Sequence, residues 1–201
     1  SGAPIAVLDA SSITAIRTAA VSGVATRALA RSEASDLALL GTGVQARTHL
    51  EAMLAVRTLR RIRAHGRDAG RLAAFVRWAG ERFAVEVEAT RSPEEAVRGA
   101  ELICTVTASP VPVVEGAWLS PGCHINAVGS SIPTTRELDS SAVASGRFFV
   151  DWQESARNEA GDFLIPLREG VISEAHLLGE LGEVLLGRVA GRTQPADITI
   201  F

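Results

Sequence analysis

The sequence predicts a doubly wound α/β fold built on a parallel sheet, and three observations carry that expectation. From residue 37 onward, short apolar runs alternate with segments of helical spacing. Strands alternating with helices imply right-handed crossovers and parallel neighbours. Two glycines, Gly41 and Gly43, stand where the first apolar run gives way to the first helix of that alternation, and helix-start signatures recur downstream.

The elements follow in order. Residues 11–31 read as a helix opened by a serine cap, with Ile13, Ile16, Ala20 and Val24 as its apolar stripe. Arg17 lies on that stripe, either as a long side chain snorkelling at its edge or as a group awaiting a ligand. The run LALL precedes a helix near 44–57, RIRA one near 68–81, and FAVEVEA the segment SPEEAVRGA. In the last of these Ser92 caps, Pro93 takes the first helical position and Glu95 completes a capping box. LICTV, HINAV and RFFVDW are further strands, and Thr134 with Glu137 forms a second capping box before LDSSAV. The final thirty residues break the rhythm: an amphipathic helix from Ser173, a polar turn, and a terminal ITIF that reads as a strand.

Composition narrows the chemistry. All 20 basic residues are arginine, so no lysine Schiff base or P-loop lysine is available from these residues. A net charge of −3 without basic tracts argues against nucleic acid or an anionic membrane as partner. No apolar run approaches the roughly eighteen residues of a membrane span, and with no signal segment in view the expected setting is soluble and cytoplasmic. Cys104 and Cys123 sit in apolar surroundings, which suits buried thiols in a reducing compartment. His124 and His176 fit no metal-ligand spacing, and no metal is expected.

Gly41, Gly43 and Ala46 form G-x-G-x-x-A at a strand-to-helix junction. The first glycine permits the turn, the second admits a pyrophosphate to the main chain, and the third small residue lets helix and strand pack closely. The helix N-terminus then offers free N–H groups to the phosphates. Where an NAD site usually places an acid, this chain has His65, Gly66 and Arg67. The arginine fork suits a 2′-phosphate, so NADP(H) is favoured, with NAD(H) possible if Asp68 holds the ribose instead. Thr105, Val106 and Thr107, at the end of a parallel strand, are candidates to line the cofactor's far half. Asp151 and Glu159 are the acids nearest a plausible cleft; by default Asp151 caps a helix and Glu159 pairs with an arginine.

The ordered set RTAA, LLGTGVQA, PGCHINAVGSSIPTTRELD, EAGD and ITIF resembles the ornithine cyclodeaminase and mu-crystallin family of nicotinamide-dependent proteins, across essentially the whole chain. The resemblance implies a Rossmann domain at 32–172, inserted in a dimerising substrate domain whose connecting pieces are 1–31 and 173–201. It implies that Arg17 reaches a substrate carboxylate near the nicotinamide, as the catalytic residue of the match. It also implies that Gly41, Thr42, Gly43, Val44 and Gln45 form the pyrophosphate loop, that Ser130 borders the cofactor, and that Arg67 serves the 2′-phosphate, although an asparagine common beside it is Gly66 here. A homodimer is implied through the outer domain.

Cyclodeaminases carry an aspartate and, four residues on, a lysine where this chain has Ser131 and Thr135. A serine hydroxyl holds no charge near neutral pH and cannot replace that acid and base, which favours the ketimine reductase branch: reduction of a small cyclic ketimine carboxylate such as pyrroline- or piperideine-2-carboxylate. Three alternatives stay open: an amino-acid dehydrogenase of the alanine type, an ornithine cyclodeaminase despite the missing acid, and a non-catalytic NADP(H)-binding protein.

Overall fold

The computed structural model describes residues 2–201. Eight strands, all parallel to their neighbours, form one sheet in the order β3-β2-β1-β4-β5-β8-β6-β7. They are β1 (Asp36–Leu40), β2 (Arg61–His65), β3 (Glu88–Ala89), β4 (Leu102–Thr105), β5 (His124–Ala127), β6 (Gly146–Val150), β7 (Leu177–Glu180) and β8 (Ile198–Ile200). The helices are α1 (Ala10–Leu29), α2 (Val44–Val56), α3 (Ala69–Phe83), α4 (Pro93–Val97), α5 (Ser140–Ser145), α6 (Gln153–Glu159), α7 (Gly161–Arg168) and α8 (Leu181–Leu185).

Strand alternation divides the core into two layers, because successive side chains point to opposite faces. Leu37 and Leu39 of β1, with Leu102 and Cys104 of β4, pack on Leu50 and Met53 of α2 and Phe75 of α3. Ala38, Leu40 and Ile103 meet the other layer, where Val97, Val143 and Phe163 come from α4, α5 and α7. Both faces being covered, the strands read as continuous apolar runs, as parallel sheets do. No described helix is long and apolar enough to cross a membrane.

Four sequence expectations give way. The first helix begins at Ala10, capped by Asp9, whose carboxylate accepts from Ser11 N at 2.9 Å. Its inward face is Ala15, Ala19, Ser22, Gly23, Thr26 and Leu29, while Ile13, Ile16 and Val24 are 47, 68 and 39 % exposed. The small residues let α1 lie close against α2, so the apolar stripe expected to be buried is the outer face. Thr134 and Glu137 make no capping box; α5 is capped by Asp139, which accepts from Ala142 N at 2.7 Å. The helix expected from Ser173 is instead a short 3-10 turn, strand β7 and the five-residue α8, since Leu177 is buried in the sheet where it pairs with Phe148. FAVEVEA yields only the two-residue edge strand β3.

Ser92 does cap α4, accepting from Glu95 N at 3.1 Å; the Glu95 carboxylate reaches back to Arg91 N rather than to the cap's own N–H. The ITIF segment forms β8, which lies inside the sheet between β5 and β6. Cys104 and Cys123 are buried and free, and burial pushes their thiols up to about 12 and about 11.

Candidate functional site

All strands being parallel, their carboxyl ends share one edge of the sheet. The pairing keeps the exits in step: Leu40 is level with Thr105, and Thr105 with Ala127. Val106 N then donates to Leu40 O and Val128 N to Thr105 O, each at 2.9 Å. The connections from β1 run away from those of β4, opening the crevice where open α/β sheets bind ligands. A cleft of about 660 Å³ occupies this place.

The glycine loop forms one wall, and its glycines do different work. Gly41 has φ +123°, a conformation side chains rarely adopt, and an added Cβ would meet Val106 O at 2.7 Å. It is there for the turn and for close packing against β4. Gly43 has φ −84° and ψ −164°, extended backbone open to any residue, and an added Cβ would meet nothing within 4 Å. Nothing in the protein's own packing calls for glycine there; the space is left toward the cleft. Ala46 is fully buried beneath the helix, as the third position of the motif requires.

Gly43 is also the N-cap of the 13-residue α2 and supplies no side chain to its free N–H groups. Beside it, the buried Oε1 of Gln45 has no hydrogen-bond partner. Bare backbone, an uncapped helix start and an orphaned amide oxygen fit a dinucleotide's diphosphate and ribose.

A histidine that sequence reasoning passed over ties this wall to α1. His49 is buried on α2, with Nδ1 2.7 Å from Gln45 O and Nε2 3.0 Å from Ser22 Oγ. The carbonyl can only accept, so Nδ1 carries the proton and Nε2 accepts from the serine. Burial lowers the ring's pKa and keeps it neutral. The bond reaches α1 one turn beyond Arg17's neighbour Thr18, so it links the helix that follows the glycine loop to the helix that carries Arg17.

The structure brings Arg17, Gly43, Val44, Gln45, Val106, Thr107 and Ser130 together around the cleft, with Ser131, Asp151 and Glu159. The exposed Arg17 makes no ion pair with another described residue. Other expected residues stand apart. Thr105 is fully buried inside β4 and does not reach the cleft, because the strand ends only after it. Gly41 and Thr42 lie behind the loop, where Thr42 Cγ2 comes within 2.7 Å of where a Gly66 Cβ would be. Arg67 is exposed beyond β2, outside the cleft. Asp68 caps α3, accepting from Arg71 N at 2.8 Å. Glu159 pairs with no arginine among the described residues and lies 3.3 Å from Ser155 Oγ. Asp151 accepts from Trp152 N, but Trp152 holds the cap position of α6.

Two buried acids, Glu137 behind the cleft and Asp162 on its lining, had no functional signal in the sequence beyond EAGD and the mistaken capping box. Glu137 is fully buried, accepting from Thr107 N at 2.6 Å, Thr107 Oγ1 at 2.5 Å and Gly129 N at 2.6 Å. Asp162 accepts from Glu137 N and Leu138 N at 2.9 and 2.8 Å. Burial raises both, Asp162 to about 7, with the Glu137 charge adding to the effect there. The turn at Gly161 is tight: a Cβ there would fall 1.8 Å from Thr135 O.

Known proteins share this sequence pattern and this fold. A Δ1-pyrroline-2-carboxylate reductase from Bacillus cereus is 40 % identical over all 201 residues, which cover 62 % of its length. The mouse ketimine reductase mu-crystallin is 40 % identical over 190 residues, 92 % of this chain and 56 % of that protein. Among solved structures, a Thermococcus litoralis Δ1-pyrroline-2-carboxylate reductase in complex with NADH and L-proline superposes with a TM-score of 0.96 at 38 % identity, over the whole chain and 62 % of the other. An archaeal alanine dehydrogenase dimer with bound NAD gives 0.93 at 33 %, over the whole chain and 62 % of its own. The chain thus spans somewhat less than two thirds of the length of these relatives. The family model described as ornithine cyclodeaminase/mu-crystallin matches residues 1–201, and the chain belongs to the ornithine cyclodeaminase/mu-crystallin family.

Proposed function

We propose that this chain is the dinucleotide-binding part of an NAD(P)H-dependent reductase of small cyclic ketimine carboxylates. The observation that carries the reading is the convergence of Arg17 with the open backbone at Gly43 on one cleft at the sheet's switch point. The pyrroline-2-carboxylate and ketimine reductases at 40 % identity support the substrate class.

In this reading Gly43 and the first N–H groups of α2 take the diphosphate, while Val106, Thr107 and Ser130 border the far half. The bound nicotinamide supplies a hydride to the carbon of the C=N bond. Arg17 fixes the substrate by its carboxylate, since a guanidinium forms paired, charge-assisted bonds with that group. Asp151 and Glu159 add negative charge to the same cleft and favour the protonated imine, the electrophile that hydride transfer needs. Ser131 stands where a cyclodeaminase has its aspartate, so the chain offers no general base there. Ile13, Ile16 and Val24, exposed on α1, support the packing of an outer, dimerising domain over that face.

Pyrroline-2-carboxylate or piperideine-2-carboxylate with NADPH is expected to oxidise the cofactor without added ammonia, followed by loss of reduced-nicotinamide absorbance. No turnover across a panel of such imines overturns the reading. Turnover of keto acids that depends on ammonia favours instead the dehydrogenase reading suggested by the archaeal alanine dehydrogenase.

The cofactor proposed is NADP(H). Arg67 is exposed beyond the end of β2 and Asp68 is engaged as a helix cap, which supports a 2′-phosphate over a ribose hydroxyl. Arg67→Ala is expected to weaken NADPH about tenfold, the size of one charge-assisted hydrogen bond, and NADH hardly at all. Equal losses in a fluorescence titration overturn the preference.

A further inference from the structure

Glu137 does not line the cleft, yet its carboxylate accepts from two residues that do. Oε1 takes both the N–H and the hydroxyl of Thr107, just past β4, and Oε2 takes the N–H of Gly129, just past β5. Thr107 and Gly129 lie in separate loops that follow adjacent strands. They are also packed without slack: a Cβ on Gly129 would fall 2.0 Å from Thr107 O and 2.5 Å from the Glu137 carboxyl.

The backbone of Glu137 is itself held from behind. Asp162 Oδ1 accepts from Glu137 N, and Glu137 O accepts from Val113 N and Val114 N at 2.7 and 3.0 Å. A buried acid needs hydrogen bonds to offset the cost of leaving water, and an apolar side chain of similar size would fill the space without that cost. An acid placed here, with both oxygens used on the two loops, is suited to fixing their separation.

On the cofactor reading above, we propose that Glu137 is a positioning residue: it clamps the loops after β4 and β5 at the spacing that the nicotinamide half of the dinucleotide requires. The adenosine half depends on the other wall, at Gly43 and β2, which Glu137 does not touch. The clamp therefore acts on one half of the ligand.

The test compares two ligands on one variant. Glu137→Gln keeps the shape but offers one acceptor and one donor, so its NH2 opposes the N–H of Thr107 or of Gly129. The dinucleotide Kd is expected to rise about tenfold, while the Kd of ADP, which ends at the diphosphate, changes by less than about twofold. A role only in general stability would leave the ratio of the two affinities where it was. Where Glu137→Gln fails to fold, Gly129→Ala carries the same comparison, because its methyl forces Thr107 and the carboxylate apart. An unchanged ratio, with the wild type binding both ligands, overturns the role of Glu137 alone. A wild type that binds neither ADP nor dinucleotide overturns the cofactor reading and this role with it.

Discussion

Replacing Gly43 by valine is expected to cut dinucleotide affinity about 100-fold, close to 3 kcal/mol, while the protein stays folded. The backbone at this position is extended and an added Cβ meets nothing, so the substitution strains no part of the chain. The stability cost is that of a poorer helix cap, about 1 kcal/mol. What the side chain occupies is the space into which α2 points its free N–H groups. Gly41→Ala is the contrasting case: φ +123° and Val106 O at 2.7 Å make it a folding lesion first and a binding lesion second. Calorimetric titration beside a thermal melt separates the two. A Gly43→Val protein with wild-type affinity sinks the assignment of the loop to the diphosphate.

Arg17→Ala is expected to lower kcat/KM for a ketimine carboxylate by about 10²- to 10³-fold, the loss of a paired guanidinium–carboxylate contact. Dinucleotide affinity should change little, because Arg17 has no part in the glycine loop and makes no ion pair among the described residues that its removal would disrupt. An imine lacking the carboxylate should react equally poorly with wild type and variant. If Arg17→Ala leaves kcat/KM for the carboxylated imine unchanged, the carboxylate is held elsewhere and the substrate class must be reconsidered.

The sheet was legible because its signals are local and agree with one another. Leucine runs buried on both faces, a glycine pair at the turn and Ser92–Pro93 at a helix start each point to the same architecture. The core of α1 was not legible, since a helix that packs closely on its neighbour is selected for small size rather than apolarity. Ala15, Ala19, Ser22 and Gly23 carry little hydrophobic signal, and Ile13, Ile16 and Val24 outweigh them in any periodicity reading.

Part of the cleft was legible for the same reason as the sheet. Gly43 and Arg17 sit in short motifs, whereas Glu137 meets Thr107 from 30 residues away, a partnership that only the tertiary fold creates. Its reading as a cap residue followed from local spacing alone. His49 was silent on similar grounds: its partner Ser22 lies 27 residues earlier, on another helix.

The place of β8 bears on how the molecule assembles. Among the described residues, strands β6 and β7 are paired into the sheet with the remaining five only through Ile198–Ile200, which pairs with β5 on one side and β6 on the other. Until a ribosome has released those residues, the nascent polypeptide holds two half-sheets with facing raw edges, the kind that recruit foreign strands. Closure of the sheet thus waits on Ile198–Ile200, and a chaperone that shields those edges would act before that strand is inserted.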